Sequence, residues 1–270
     1  MSRSNFLRGP VGPIVLVGLC PFFPAWGADG LQVISYNSGT NRFQFNAYTN
    51  PQVALGMPQT NPGDGVVTTP FNNPFSKNDV VSVGLGGELT LQLSNEVLPT
   101  PGAPEIGVFT FQQFLQTSSG GTNSGPTLFY PSILAHVDVS EDGVNWVSLN
   151  GGEPIAFNIP ATAYQNSPPT EPSNYFEPFT GGLSSLANQT TLADTLAAYD
   201  GSAGGTWLDI SGTELSDVDF IRFSVPSTDT FGFQLDAVTV STAATGAAVP
   251  EPATLAMLIF STGFFLRRRR

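Results

Sequence analysis

The stretch Val80–Leu93, VVSVGLGGELTLQL, decides the fold that this chain can adopt. Two apolar runs flank the pair Gly86-Gly87, and the second run alternates leucines with polar residues from Glu88 to Leu93. Side chains of a β-strand point alternately to its two faces, so the second run predicts a strand with one apolar face. Because a glycine pair between two strand-like runs is typical of a tight turn, we expect the runs to form a β-hairpin.

Strand-like segments recur along the rest of the chain, between clusters of Gly, Pro, Asn and Ser. The strongest are Leu31–Tyr36, Ile106–Phe111, Ile133–Ser140, Val218–Val225 and Phe231–Val240. Only Leu192–Tyr199 has the pattern of a short helix. Runs of strands with almost no helix predict an all-β fold, in which two antiparallel sheets pack as a sandwich or jelly roll.

The alternation also predicts which side chains fill the space between the sheets. In Phe231–Val240 we expect Phe233 and Ala237 to share the apolar face. Asp236 and Val238 should then share the opposite face. The residues expected in the core are Leu89, Leu91, Val137, Val139, Ile221, Phe223, Phe233 and Leu235.

The first 27 residues have the features of a secretory signal peptide. Arg3 and Arg8 precede the apolar run Val11–Leu19, and small residues in Ala25-Trp26-Gly27 indicate cleavage after Gly27. Cys20 is the only cysteine, so the mature chain would have no disulfide and no thiol to act as nucleophile or metal ligand. A leucine before Cys20 disfavours the alternative of a lipoprotein signal.

The C-terminus combines a Pro-Glu-Pro motif, the uncharged apolar run Ala253–Leu266 and four arginines, in that order. At ~1.5 Å per residue, a helix over the apolar run would span roughly 21 Å, less than the ~30 Å hydrocarbon core of a bilayer. The arginines would hold the C-terminus on the cytoplasmic side. The residues of the motif and of the cluster are Val249, Pro250, Glu251, Pro252, Arg267, Arg268, Arg269 and Arg270.

This order of motif, apolar segment and arginine cluster resembles the PEP-CTERM sorting signal of bacterial surface proteins. The resemblance implies that a membrane protease, exosortase, recognises the motif, removes the tail and passes the body outward, so that contact with the membrane is transient. The alternative is an ordinary C-terminal membrane anchor. The chain would then divide into a signal peptide at 1–27, a body at 28–246 and a sorting signal at 247–270.

Five further segments share turn and core patterns with known surface proteins. They are Gly84–Leu91, Val137–Trp146, Ala203–Ile210, Val218–Phe223 and Phe233–Val238. Through them the body, over roughly Val80–Val240, resembles PEP-CTERM proteins that are built on galactose-binding-type jelly rolls, akin to discoidin domains and carbohydrate-binding modules. The resemblance implies the fold more than an activity.

The body is strongly acidic. Between Asp29 and Val249 there are three basic residues against twenty acidic ones, a formal charge of −17, whereas the whole chain has −12. Such a surface repels nucleic acid and anionic lipid, so we expect no nucleic-acid partner. Solubility outside the cell accounts for most of this charge, and a setting among glycans is compatible with it.

Catalytic chemistry has little support in the sequence, and we expect a non-enzymatic protein. His136 is the only histidine and lies on the outward face of a predicted strand, beside Asp138. No Gly-x-Ser-x-Gly motif occurs, and one histidine without a mature cysteine cannot form a zinc site. With twenty acids in the body, a pair at a separation suited to glycoside hydrolysis carries no information.

Glycan binding and calcium binding are the two kinds of site with candidate residues. Sugars stack on aromatic faces, and Tyr175, in a proline-rich loop, and Trp207 are the candidates. Trp146 is also eligible, although a tryptophan after a Ser-x-Asp-Gly turn, here Ser140–Gly143, more often packs into the core. The resemblance implies a structural calcium ion between the start of the first strand and Asp236 in the last strand. Near the first strand, Asn37 and its neighbours stand where the family has glutamates. The alternative is that Asp236 forms local hydrogen bonds.

We therefore expect an exported, exosortase-processed protein of the cell surface or the extracellular matrix. Its role would be structural or adhesive, with weak binding of glycans such as an exopolysaccharide. The alternative is a carbohydrate-active hydrolase or its detached carbohydrate-binding module. No cofactor is expected apart from the calcium ion that the resemblance implies.

Overall fold

The computed structural model describes residues 31–40, 48–61, 67–115, 127–130, 133–187, 189, 191–228 and 232–248. Within these ranges, none of the helices has the length and hydropathy of a membrane span. The signal peptide expected at 1–27 lies outside the described residues, and so does the expected sorting motif from Val249 to Arg270.

Across the described ranges the chain forms eleven strands and two short helices. The strands are β1 (Gln32–Asn37), β2 (Val81–Val83), β3 (Glu88–Val97), β4 (Ile106–Thr110), β5 (Leu134–Ser140), β6 (Val147–Ser148), β7 (Ile155–Ala156), β8 (Thr206–Leu208), β9 (Val218–Ser224), β10 (Phe233–Val240) and β11 (Thr245–Ala248). The helices are α1 (Leu183–Ala187) and α2 (Leu192–Ala197). Helix α2 was predicted, and it begins where the Thr191 hydroxyl accepts a hydrogen bond from the Asp194 amide.

The strands form two antiparallel sheets, as predicted. Sheet I has the order β1-β3-β9-β5-β6, and β11 and β7 extend its two sides by pairing with β3 and β5. Sheet II has the order β2-β10-β4-β8. The fold is therefore mostly β and sandwich-like.

The core between the sheets contains the side chains that the alternation predicted. Each of the eight expected core residues is at most 1% exposed. At its centre, Phe223 of β9 stacks on Phe233 of β10, with ring centroids 5.0 Å apart. Phe157 lies against both rings, at 6.3 Å and 5.0 Å. Since Phe223 and Phe233 belong to different sheets, this aromatic contact joins sheet I to sheet II.

The hairpin predicted for Val80–Leu93 is wrong. Strand β2 pairs with β10 in sheet II, whereas β3 pairs with β1 and β9 in sheet I. The Gly86-Gly87 pair carries the chain from one sheet to the other. A Cβ atom on Gly87 would lie 2.8 Å from the carbonyl oxygens of Asn37 and Gly84, so only glycine permits this close crossing.

The faces predicted within the last long strand are correct only up to Asp236. A β-bulge between Leu235 and Ala237 shifts the register of β10 against β4. As a result Val238 joins the core between the sheets, while Ala237 packs with Phe109 on the other side of sheet II. Asp236 lies at the bulge.

The outer face of sheet II is covered by a second layer. The covering layer, residues 57–61, 158–187, 189 and 191–204, places Met57, Ala161, Tyr175 and Ala203 against this face. Because of this layer, all residues of β10 except the last are buried on both faces of the sheet. Among the described residues no such layer packs on the outer face of sheet I, where Thr90, Gln92 and Ser140 are buried while Gln32, Ser35 and Asn37 are exposed.

Candidate functional site

The outer face of sheet I presents polar side chains in three rows. Because the inward neighbours of these residues fill the core, the pairing of β1, β3, β9, β5 and β6 fixes which outward residues lie side by side. The first row is Asn37, Glu88, Ser224 and His136; the second is Ser35, Thr90, Arg222, Asp138 and Ser148; the third is Gln32, Gln92, Phe220 and Ser140. Most of these side chains are amides or hydroxyls.

Arg222 is the central residue of this face. Its Nε and Nη2 atoms donate to Asp138 Oδ2 at 3.1 Å and 2.9 Å. The Ser148 hydroxyl donates to the other oxygen of the same carboxylate. Glu88 Oε2 lies 3.8 Å from Arg222 Nε, and the guanidinium carbon lies 4.3 Å from the centroid of the Trp146 ring. These contacts fix the position of the guanidinium and of the indole beside it.

Trp146 lies on the outer face of sheet I, half-buried, and not in the core where it was expected. The turn before it is held by Asp142, whose Oδ1 accepts hydrogen bonds from the amides of Asn145 at 2.7 Å and Val144 at 2.8 Å. These bonds hold the pKa of Asp142 well below its usual value. The turn therefore presents the indole on the face of the sheet beside Arg222 instead of directing it inward.

A groove of about 380 Å³ lies at the end of the first row. It is open to solvent and is bounded by Asn37 and Glu88 on one side and by the turn from Ser224 to Ser227 on the other.

His136, at the far end of the row, has Nδ1 2.7 Å from the carbonyl oxygen of Gly152. A carbonyl only accepts, so Nδ1 carries the proton and Nε2 of the neutral ring is an acceptor.

The structure places Tyr175 in the interior, not on an exposed loop. Its side chain is 7% exposed and packs edge-on against Phe109, with centroids 5.6 Å apart. Burial, with the nearby Asp236 carboxyl, raises the pKa of its phenol. The phenol oxygen has no hydrogen-bond partner among the described residues. The ring is therefore not available as a surface for sugar stacking in this structure.

Trp207 lies on sheet II, away from the outer face of sheet I. Its ring packs over Gly107 of β4, and its Nε1 donates to the carbonyl oxygen of Gly204 at 2.9 Å. The indole is half-buried against the covering layer. The structure therefore does not bring Tyr175 and Trp207 together on one accessible surface.

The two residues expected at a calcium site lie on opposite sides of the sandwich. Asn37 is exposed on the outer face of sheet I, where its Oδ1 accepts from the Gly39 amide at 3.1 Å. Asp236 is 1% exposed, between sheet II and the covering layer. Within the described ranges, no group of three or more His, Cys, Asp or Glu side chains could hold a metal ion. Asn37 and Asp236 do not fit one calcium site.

Asp236 is a buried acid. Its Oδ2 accepts a hydrogen bond from the Gln59 amide at 3.1 Å, while its Oδ1 has no hydrogen-bond partner among the described residues. No Lys, Arg or His side chain in the described part of the chain pairs with it. Burial, and to a smaller extent the nearby Asp79 carboxyl, raise the pKa of Asp236 well above its usual value. Folding therefore favours the protonated form of this carboxyl relative to the unfolded chain.

The sequence indicated the outward faces of single strands but not the site that they build. The alternation in β5 placed His136 and Asp138 outward, and that prediction is confirmed. Sequence alone did not show that β9 lies between β3 and β5, which brings Arg222 between Glu88 and Asp138. The signal that could have found the pair is charge complementarity between outward positions of two strands.

Comparisons with known proteins give no family. No protein-family model and no curated protein matches this chain. Among solved structures, the C-terminal domain of a chitobiase from Bacteroides fragilis is similar, with a TM-score of 0.34 and 11% identity, over 82% of this chain and 95% of that one. At this identity and TM-score, the likeness adds nothing to what the residues of the outer face support.

Proposed function

We propose that this chain is an exported, non-enzymatic protein of the cell surface or extracellular matrix, and that its body binds a hydroxyl-rich polysaccharide through the outer face of sheet I. The observation that carries this proposal is the set of three rows, in which amides and hydroxyls surround the Arg222–Trp146 pair. Amide and hydroxyl side chains both donate and accept, as sugar hydroxyls require, and an indole offers an apolar surface for sugar C–H groups.

The shape of the face suits a polymer better than a small molecule. Five strands lie side by side from β1 to β6, so the second row, which crosses all five, extends over roughly 19 Å at ~4.8 Å per strand. Thr90, Gln92 and Ser140 lie low in the face and are at most 8% exposed, whereas the side chains of Arg222 and Glu88 are 26% and 42% exposed. A chain of sugar units can lie across the rows and contact several of these groups at once.

The predicted change at this site is Trp146→Ala. Loss of the indole should weaken binding of polysaccharide from the matrix of the producing cells about tenfold, because one stacking contact and the support for Arg222 are removed together. Affinity electrophoresis of the full chain in gels that contain this polysaccharide measures the effect. The control is Phe75→Ala, which removes a 51% exposed aromatic that belongs to none of the rows. Equal retardation of both variants would contradict the proposal, and release of reducing sugar by the wild type would contradict a non-enzymatic role.

The proposal of export rests on the terminal sequences. Exosortase would recognise Pro250-Glu251-Pro252 and detach the tail, so that the membrane holds the protein only transiently. Replacing these three residues by alanine should leave the full-length chain in the membrane fraction of the producing cells. Mass spectrometry of wild-type protein released to the medium should find no peptide that contains Arg267. Recovery of the intact tail from the medium would show that the protein is not processed in this way.

A further inference from the structure

We propose that the groove at the end of the first row binds a sugar unit that carries a free, protonated amine, with the Glu88 carboxylate as its counter-ion. This inference rests on the proposed polysaccharide binding and names the class of glycan, an amino-sugar polymer with unacylated amines. The ammonium group would lie between Glu88, the Asn37 carboxamide oxygen and the Ser224 hydroxyl, which all line the groove.

The groove is formed by two turns that are bonded to each other. The Gly86 amide donates a hydrogen bond to the carbonyl oxygen of Val225 at 2.8 Å. The Val225 amide donates one to the carbonyl oxygen of Gly87 at 3.2 Å. These bonds join the crossing between the sheets to the end of β9. With a volume of about 380 Å³, the groove lies in the range of small-ligand sites. Since the backbone holds the walls, binding would require little reorganisation.

Glu88 has a negative charge that its neighbours do not neutralise. Arg222 is the only basic group within 4.0 Å of it among the described residues, at 3.8 Å. That guanidinium already donates two hydrogen bonds to Asp138, at 3.1 Å and 2.9 Å. The cluster of Arg222, Asp138 and Glu88 therefore has a net charge of −1. The Glu88 side chain is 42% exposed, so its carboxylate is accessible from the groove.

Charge on the whole body favours the same ligand. A formal charge of −17 between Asp29 and Val249 attracts cations and repels carboxylated or sulfated polysaccharides. A hydrogen bond from an ammonium to a carboxylate is stronger than one between neutral groups. An amine on a sugar fits better than a lysine side chain, because Glu88 in the groove lies 3.8 Å from Arg222, and the Arg222 guanidinium lies 4.3 Å from the Trp146 ring. The neighbouring sugar unit can then stack on the indole.

The test compares two oligosaccharides of equal length with the full chain. Isothermal titration at physiological ionic strength and mildly acidic pH would measure the affinity for a glucosamine trimer and for its fully N-acetylated form. We expect the amine form to bind about tenfold more tightly to the wild type. Glu88→Gln should reduce this ratio to about one. The matched control, Glu171→Gln, removes the same charge from an exposed loop and should leave the ratio unchanged.

Three other outcomes would contradict the proposal, each in a different way. Equal affinities of the wild type for the two trimers would refute the amine preference but leave polysaccharide binding intact. A preference that survives in Glu88→Gln, or that Glu171→Gln also abolishes, would show that the groove is not its source. Failure to bind either trimer or any longer polysaccharide would refute the proposed function itself. Unchanged melting of Glu88→Gln would show that a lost preference is not a folding defect.

Discussion

Replacing Phe223 by alanine is expected to lower the free energy of unfolding by about 3–5 kcal/mol. Phe223 is fully buried in the middle strand of sheet I, and its ring stacks on Phe233 of sheet II at 5.0 Å. The substitution removes the ring, leaves a cavity between the sheets and ends the contact with Phe157. Aromatic pairs add about 0.5–1.5 kcal/mol to the burial of their area, which places this variant among the most destabilising single changes.

Chemical denaturation followed by intrinsic fluorescence would measure this effect. The control is again Phe75→Ala, because Phe75 is 51% exposed and its loss should change the free energy of unfolding by no more than about 0.5 kcal/mol. If Phe223→Ala cost less than about 1 kcal/mol, the aromatic contact between the two sheets would not hold them together. Such a result would contradict the packing of Phe223 on Phe233 in the core between the sheets.

Replacing Asp236 by asparagine is expected to stabilise the protein at neutral pH. The carboxyl is buried at the bulge of β10 and lies near the Asp79 carboxyl, so that its pKa in the folded state is raised. In the unfolded chain the group ionises near its ordinary pKa of about 3.9. Stability from the protonated acid is therefore fully present below about pH 3.9 and is lost as the pH rises toward the folded-state pKa.

The loss between these two pKa values amounts to about 1.4 kcal/mol per pH unit, and asparagine does not undergo it. The advantage of Asp236→Asn should thus be largest near neutral pH and should shrink as the pH approaches about 4. Melting curves of the wild type and the variant across this range would measure it, with Glu171→Gln as the surface control. A variant that is less stable than the wild type at neutral pH, and that loses a stabilisation by calcium over magnesium, would instead identify Asp236 as a metal ligand.

The alternation of apolar and polar residues along the strands was the most informative feature of the sequence. Alternating leucines in β3 and valines in β5 predicted which side chains are buried, because a strand with one face against a core repeats every two residues. Clusters of Gly, Pro, Asn and Ser between the strand-like runs likewise predicted an all-β body. These signals are local, and they concern elements that are each formed by a few consecutive residues.

The features that were missed depend on contacts between distant residues. The pair Gly86-Gly87 has the composition of a hairpin turn, yet it joins two sheets because β2 pairs with β10, about 150 residues further along the chain. The covering layer buries Tyr175 and Asp236 through loops that have no periodicity. Trp146 was expected inside because a tryptophan after a Ser-x-Asp-Gly turn more often packs into the core, whereas the Asp142 hydrogen bonds direct it to the surface.

Hydroxyl-radical footprinting of Trp146 and Trp207 tests the central claim most directly. Trp146 and Trp207 are both half-buried, but they lie on different sheets, so that each serves as the control for the other in the same molecule. If the outer face of sheet I binds the matrix polysaccharide, saturating polysaccharide should protect Trp146 from oxidation and leave Trp207 unchanged. Protection of Trp207 without Trp146, or of neither while the protein is bound, would contradict the assignment of this face as the binding site.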